Sequence, residues 1–92
     1  MISFDKFKEE VQKRNENYFN IHFTRPVVGI SSTIIDYGSK ETLILTIYYL
    51  SNKDNYRYLD KDQNKWLELN NDDLLKLYND KQIKDYVEIQ EL

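Results

Sequence analysis

The five residues Asp60-Lys61-Asp62-Gln63-Asn64 set side-chain oxygens at alternate positions, the spacing with which a loop wraps a calcium ion. The rest of the pattern is missing. Lys65 stands where such a loop needs a glycine for its sharp turn, and Asn71 where it needs a closing bidentate glutamate. Asp and Asn also favour turns through hydrogen bonds to their own backbone, so the segment reads as a polar hairpin loop, with no metal expected. His22 is the sole histidine and there is no cysteine, which excludes thiolate metal sites, disulfides and cysteine nucleophiles. His22 as a general base for Ser31 or Ser32 would need a fixed geometry, and no nucleophile-elbow pattern surrounds either serine. Its neighbours Ile21 and Phe23 suggest an ordinary strand histidine. The carboxylates spread along polar faces without a distinct catalytic pair. A small ribonuclease built on His22, Arg25 and Arg57 would normally be strongly basic, and this chain is not. No enzymatic activity and no cofactor are expected.

The aromatic residues carry more information. Eight Tyr, four Phe and one Trp exceed what a core of this size needs, and tyrosine and tryptophan are enriched at protein interfaces. Tyr48 and Tyr49 are adjacent on a strand and must point to opposite faces. Tyr56 and Tyr58 share one face of a strand, and Trp66 shares a face with Glu68, opposite Leu67 and Leu69. If those leucines face the core, Trp66 lies outside or beneath a helix. The expected partner-binding patch is Tyr56, Tyr58, Trp66, Asp60, Asp62 and Glu68.

The positioning elements follow from periodicity. Ser3 reads as the N-cap of a helix over residues 4–17, with Ile2 and Phe7 as a hydrophobic staple and Phe4, Phe7, Val11 and Tyr18 on its apolar stripe. From Ile21 the period changes to two, and Pro26 belongs at a strand start or edge. Residues 27–37 read as a strand, Gly38-Ser39 as a turn and residues 41–50 as a second strand. On this reading Val28, Ile30 and Ile34 join Leu43, Leu45, Ile47 and Tyr49 on the core face. Ser31, Thr33, Ile35 and Tyr37 join Thr42, Ile44, Thr46 and Tyr48 on the other. Residues 56–60 and 65–69 form two further strands. Asn70 or Asn71 caps a second helix with Asp72 and Asp73 in its first turn, running through about Gln82. In the tail, Val87 and Ile89 can alternate as a short edge strand. The expected fold is a single α+β domain over residues 1–92: N-terminal helix, four-stranded antiparallel meander, C-terminal helix and an optional terminal edge strand.

Composition bounds the partners. The 92 residues suit one domain. No apolar run approaches a membrane span and the charged N-terminus lacks a signal-peptide core, so a cytoplasmic location is expected. Abundant Lys, Asn, Ile and Tyr with no alanine suggest an AT-rich bacterial or phage gene. Residues 1–40 hold six basic and five acidic groups (+1), residues 41–92 seven and eleven (−4), giving the total of −3. That balance disfavours direct nucleic-acid binding and suits docking on a basic protein surface.

In size, acidity and lack of catalytic motifs the chain resembles the small anti-CRISPR proteins. The resemblance implies a phage or mobile-element inhibitor of a bacterial defence complex, acting by covering a surface. An immunity protein or antitoxin would share this character. A structural or assembly role, including homodimerisation through the Thr/Tyr/Ile face of the first hairpin, is the alternative from a different class.

Overall fold

Ser3 is extended and its hydroxyl accepts a hydrogen bond from the Lys6 amide at 3.1 Å, which starts α1 (Phe4–Gln12) as the sequence predicts. The structure, a computed structural model, describes residues 1–26, 29–30, 35–36 and 40–90. α1 stops five residues short of the expected end. Arg14 is only 2% exposed and turns back on the helix, donating to the Glu10 carbonyl at 2.6 Å and to the Asn20 carbonyl at 3.0 Å. Asn15 and Tyr18 then exchange backbone hydrogen bonds in a tight turn. Tyr18 therefore leaves the helical stripe and is 40% exposed.

Five antiparallel strands form the main sheet: β1 (Asn20–Pro26), β4 (Lys40–Leu50), β5 (Asn55–Asp60), β6 (Lys65–Leu69) and β7 (Glu88–Gln90), in the order β6-β5-β4-β1-β7. The four-stranded meander, the two helices and the terminal edge strand are all present. One strand assignment is corrected. The strand beside β4 is residues 20–26, with Phe23 opposite Leu43 and Ile21 opposite Leu45, not residues 27–37. Ile21 and Phe23 are fully buried, so they supply the inner-face alternation that the reading gave to residues further on. Pro26 closes β1. Beyond it, β2 (Gly29–Ile30) pairs with β3 (Ile35–Asp36) in a separate two-stranded ribbon, so the chain reverses there. The faces assigned to Val28, Ser31, Thr33, Ile34 and Tyr37 lie outside the described residues, as do the side chains of Ile30 and Ile35.

The two hairpins that follow have the same construction. Leu50 pairs with Asn55 and Asp60 with Lys65, leaving four-residue loops. The last loop residue is left-handed in each, Asp54 at φ 52° and Asn64 at φ 51°. Asp and Asn are the side chains that tolerate this region best, which explains how glycine-free loops make these turns.

α2 (Asn71–Asp80) opens with a capping box. The Asn70 side chain accepts from the Asp73 amide at 2.8 Å, and Asp73 accepts from the Asn70 amide at 3.1 Å. It ends at Asp80 rather than Gln82, because Gln82 is left-handed at φ 53° and leads into a 3-10 turn over Ile83–Asp85. Buried Ile83 and Tyr86 anchor that turn, and the chain then adds β7 to the free side of β1.

Both helices lie on one face of the sheet, α1 across β4 and α2 across β5 and β6. The core between them contains Phe7, Val11, Ile21, Phe23, Leu45, Ile47, Tyr56, Leu74 and Ile83. Among the described residues, no helix is long and apolar enough to cross a membrane.

Candidate interaction surface

The register across β4, β5 and β6 assigns each aromatic residue to a face. Tyr58 pairs with Ile47 on one side and Leu67 on the other, and Tyr56 with Tyr49 and Leu69. These rows lie under the helices. Tyr56 is 1% and Tyr58 8% exposed, and Gln12 of α1 donates to the Tyr56 hydroxyl at 3.1 Å. Tyr56 and Tyr58 are thus core side chains, a correction to the expected patch. In a hairpin with a four-residue loop, residues on the face of Leu67 and Leu69 share their burial.

The alternate rows lie on the helix-free face. Tyr48 pairs with Arg57, Arg57 with Glu68, and Leu59 with Trp66. Three rings gather there: Tyr48 and Trp66 at 5.7 Å and 66°, Phe19 and Trp66 at 5.9 Å and 82°, Phe19 and Tyr48 at 6.2 Å. The first two are edge-on, the arrangement that brings a ring's positive edge to a negative face. The Arg57 guanidinium lies 5.7 Å from the Trp66 ring centre, a cation–π distance. Arg57 makes no ion pair within 4 Å among the described residues. Trp66 is 37% and Ile44 41% exposed, large apolar areas for a small domain. Glu68 sits at the margin, held by Lys53 at 3.8 Å and by the Asn55 amide group at 3.4 Å.

Of the six expected patch residues, the open face therefore unites Trp66 and Glu68. Phe19, Tyr48 and Arg57 were missed as their neighbours. For Tyr48 and Arg57 the signal was the hairpin register. For Phe19 it was hidden, since it depends on where α1 ends.

Asp60 and Asp62 lie at the tip of the β5–β6 hairpin, beside the C-terminal end of α2. One Asp60 oxygen accepts from the amides of Asp62 at 3.0 Å and Gln63 at 3.4 Å, so it fixes the turn. Among the described residues no group of three or more His, Cys, Asp or Glu side chains could hold a metal ion. The two aspartates border a cleft of about 380 Å³ that Tyr58, Leu67 and Leu77 also line.

The residues weighed for ribonuclease chemistry are dispersed. His22 lies on the open face of β1, across from Ile44 and Gln90. Arg25 is on the opposite face, 2.7 Å from Glu41 and 4.9 Å from the Tyr86 ring centre. Arg57 stacks on Trp66, two strands away. Ser31 and Ser32 lie outside the described residues.

Fold and surface together define a small α+β domain with one helix-covered sheet face and one that, among the described residues, carries no helix. No protein family, curated protein or solved structure matches this chain.

Proposed function

We propose that this chain is a non-catalytic protein-binding module that docks through its open sheet face. The observation that carries the reading is the cluster of Trp66, Tyr48 and Phe19 with Arg57, left uncovered by either helix. Tryptophan, tyrosine and arginine are the side chains that dominate binding energy at the centre of protein interfaces. Base stacking would use the same rings but needs a basic surround to hold phosphates. Here Glu68 lies beside Lys53, Lys61 folds back onto the Ile44 carbonyl at 3.4 Å, and the chain carries a net charge of −3. A protein partner with a basic surface fits better, with Asp60 and Asp62 at the hairpin tip steering it. An inhibitor of a bacterial defence complex, carried by a phage or other mobile element, would need only such an occluding surface.

The test is affinity capture from bacterial lysate with the wild type and with a Trp66→Ala/Arg57→Ala variant, alongside Lys84→Ala as a surface control. Support requires proteins held by the wild type and by Lys84→Ala but lost by the double variant, whose circular dichroism remains native. Equal capture by all three sinks the proposal.

Self-association through the same face is the second reading. It is favoured by Ile44 and Thr42, both exposed on β4 on the same face as half-buried Tyr48.

A further inference from the structure

Tyr58 is 92% buried by difference from its 8% exposure, yet its hydroxyl makes no hydrogen bond among the described residues. No fully buried side-chain nitrogen or oxygen among those residues lacks a partner, so the phenol oxygen keeps some contact with solvent; Tyr58 lines the cleft beside α2 and an adjoining one over Leu43 and Leu45, both bordered by Asp60, Asp62 and Lys81. Burial, followed by the charges of Asp60 and Asp62, pushes this phenol above its ordinary value of 10.0, which keeps it protonated.

The cleft is lined by acidic and apolar side chains together. Asp60 and Asp62 come from the hairpin tip and Asp73 and Asp80 from α2, and Leu67, Leu69 and Leu77 line it beside them. Lys76 and Lys81 also border it, and neither approaches a carboxylate within 4 Å among the described residues. Four carboxylates against two ammonium groups leave two net negative charges. Asp60 commits one oxygen to the turn and Asp73 commits one to the α2 cap, so each retains a second acceptor.

From this geometry we infer that the cleft is a receptor for an arginine side chain of the partner protein. The guanidinium lies against Asp60 and Asp62 and donates to the Tyr58 oxygen, while its methylene stem covers the leucines. Arginine suits the site better than lysine. Its guanidinium is less strongly hydrated and presents several donors in one plane, so it enters a half-apolar cleft at lower desolvation cost. The inference names a partner side chain and so rests on the protein-binding reading. The cleft can nevertheless be tested without any partner, and although Asp60 and Asp62 serve both readings it contains neither Trp66 nor Arg57, so the two can fail separately.

The experiment titrates the full chain with N-acetyl-arginine amide and follows backbone amides by ¹H–¹⁵N NMR. Saturable shifts at Asp60, Asp62 and Lys81 are expected, while the neutral isostere N-acetyl-citrulline amide should leave them unmoved. Asp60→Asn/Asp62→Asn preserves the side-chain carbonyl that accepts the turn hydrogen bonds and should weaken binding about tenfold or more, the cost of losing charge-assisted bonds. Tyr58→Phe keeps the buried ring, removes only the oxygen, and should weaken binding several-fold. Equal shifts with citrulline amide, or affinity unchanged in either variant, overturn the inference. Spermidine saturating the same amides at about one-tenth of the arginine amide's concentration also overturns it, because the site would then serve free polyamines.

Discussion

Arg14 stands one helical turn beyond Glu10, and the two form a buried pair: Nη1 of Arg14 lies 2.6 Å from the Glu10 carbonyl oxygen and 3.4 Å from its Oε2, with side chains 1% and 5% exposed. Arg14 also donates to the Asn20 carbonyl and its own carbonyl accepts from the Tyr49 amide at 3.2 Å, so it ties the end of α1 to the start of β1 and to β4. Glu10 keeps Lys6 and Lys13 as partners, but removing Arg14 empties a buried site and leaves the Glu10 and Asn20 carbonyls without its donors, each loss costing about 1 to 3 kcal/mol. Arg14→Ala should therefore cost about 3 to 5 kcal/mol in urea unfolding, while Arg25→Ala, on an exposed pair, should cost about 1 kcal/mol or less.

The pair also fixes a pH dependence. Burial alone would raise the Glu10 pKa, but contacts from Lys6, Lys13 and Arg14 outweigh it and hold it below the ordinary value of 4.5. A carboxylate depressed in the folded state contributes stability that is complete above 4.5 and is lost as pH falls through the lowered value. Glu10→Gln should therefore be less stable than wild type at neutral pH, and the gap should narrow as the solution is acidified below that value. A gap independent of pH in urea melts would show that the Glu10 charge contributes nothing.

Tyr56 and Trp66 separate core from surface on adjacent strands. Tyr56→Ala empties a site beneath α1 and should cost about 3 to 5 kcal/mol, enough to unfold much of a domain of this size. Trp66→Ala gives up edge contacts to Phe19 and Tyr48 on the open face and should cost about 1 to 2 kcal/mol with the fold retained. Thermal melts of both variants followed by circular dichroism compare them directly.

Where a signal was local, it was legible before folding. Ser3 with Ile2 and Phe7 marks one helix start, Asn70 or Asn71 ahead of Asp72 and Asp73 marks the other to within a residue, and the hairpin strands at 56–60 and 65–69 follow from alternation and turn residues. What could not be read depends on distant partners. The end of α1 depends on Arg14 reaching the Asn20 carbonyl, and that end in turn releases Phe19 to join Trp66. The partner of β4 was misassigned because residues 20–26 and 27–37 both alternate, and no local rule ranks them. Tyr56 and Tyr58 are different: the hairpin register places them with Leu69 and Leu67, on the face opposite Trp66, and that register is legible in the sequence.

The α2 cap gives a local test of the same kind. Asn70→Ala removes the acceptor for the Asp73 amide and should destabilise by about 1 kcal/mol, whereas Asn71→Ala, just inside the helix, should be nearly neutral. Urea midpoints at constant slope distinguish the two.

Trp66 is the one tryptophan in the chain, it is 37% exposed, and it lies at the centre of the proposed docking face, so its fluorescence reports on that face alone. If the face is kept for a different protein, quenching of Trp66 by acrylamide should be independent of protein concentration, because each free molecule presents the ring to solvent. If two copies pair through Ile44, Tyr48 and Trp66, quenching should fall as concentration rises, and Ile44→Lys should abolish that fall by setting a charge into the paired surface. A captured partner gives the complementary measurement. Docking on the open face must shield Trp66 from acrylamide in the complex, and a complex in which the ring stays fully quenchable would place the contact elsewhere on the molecule.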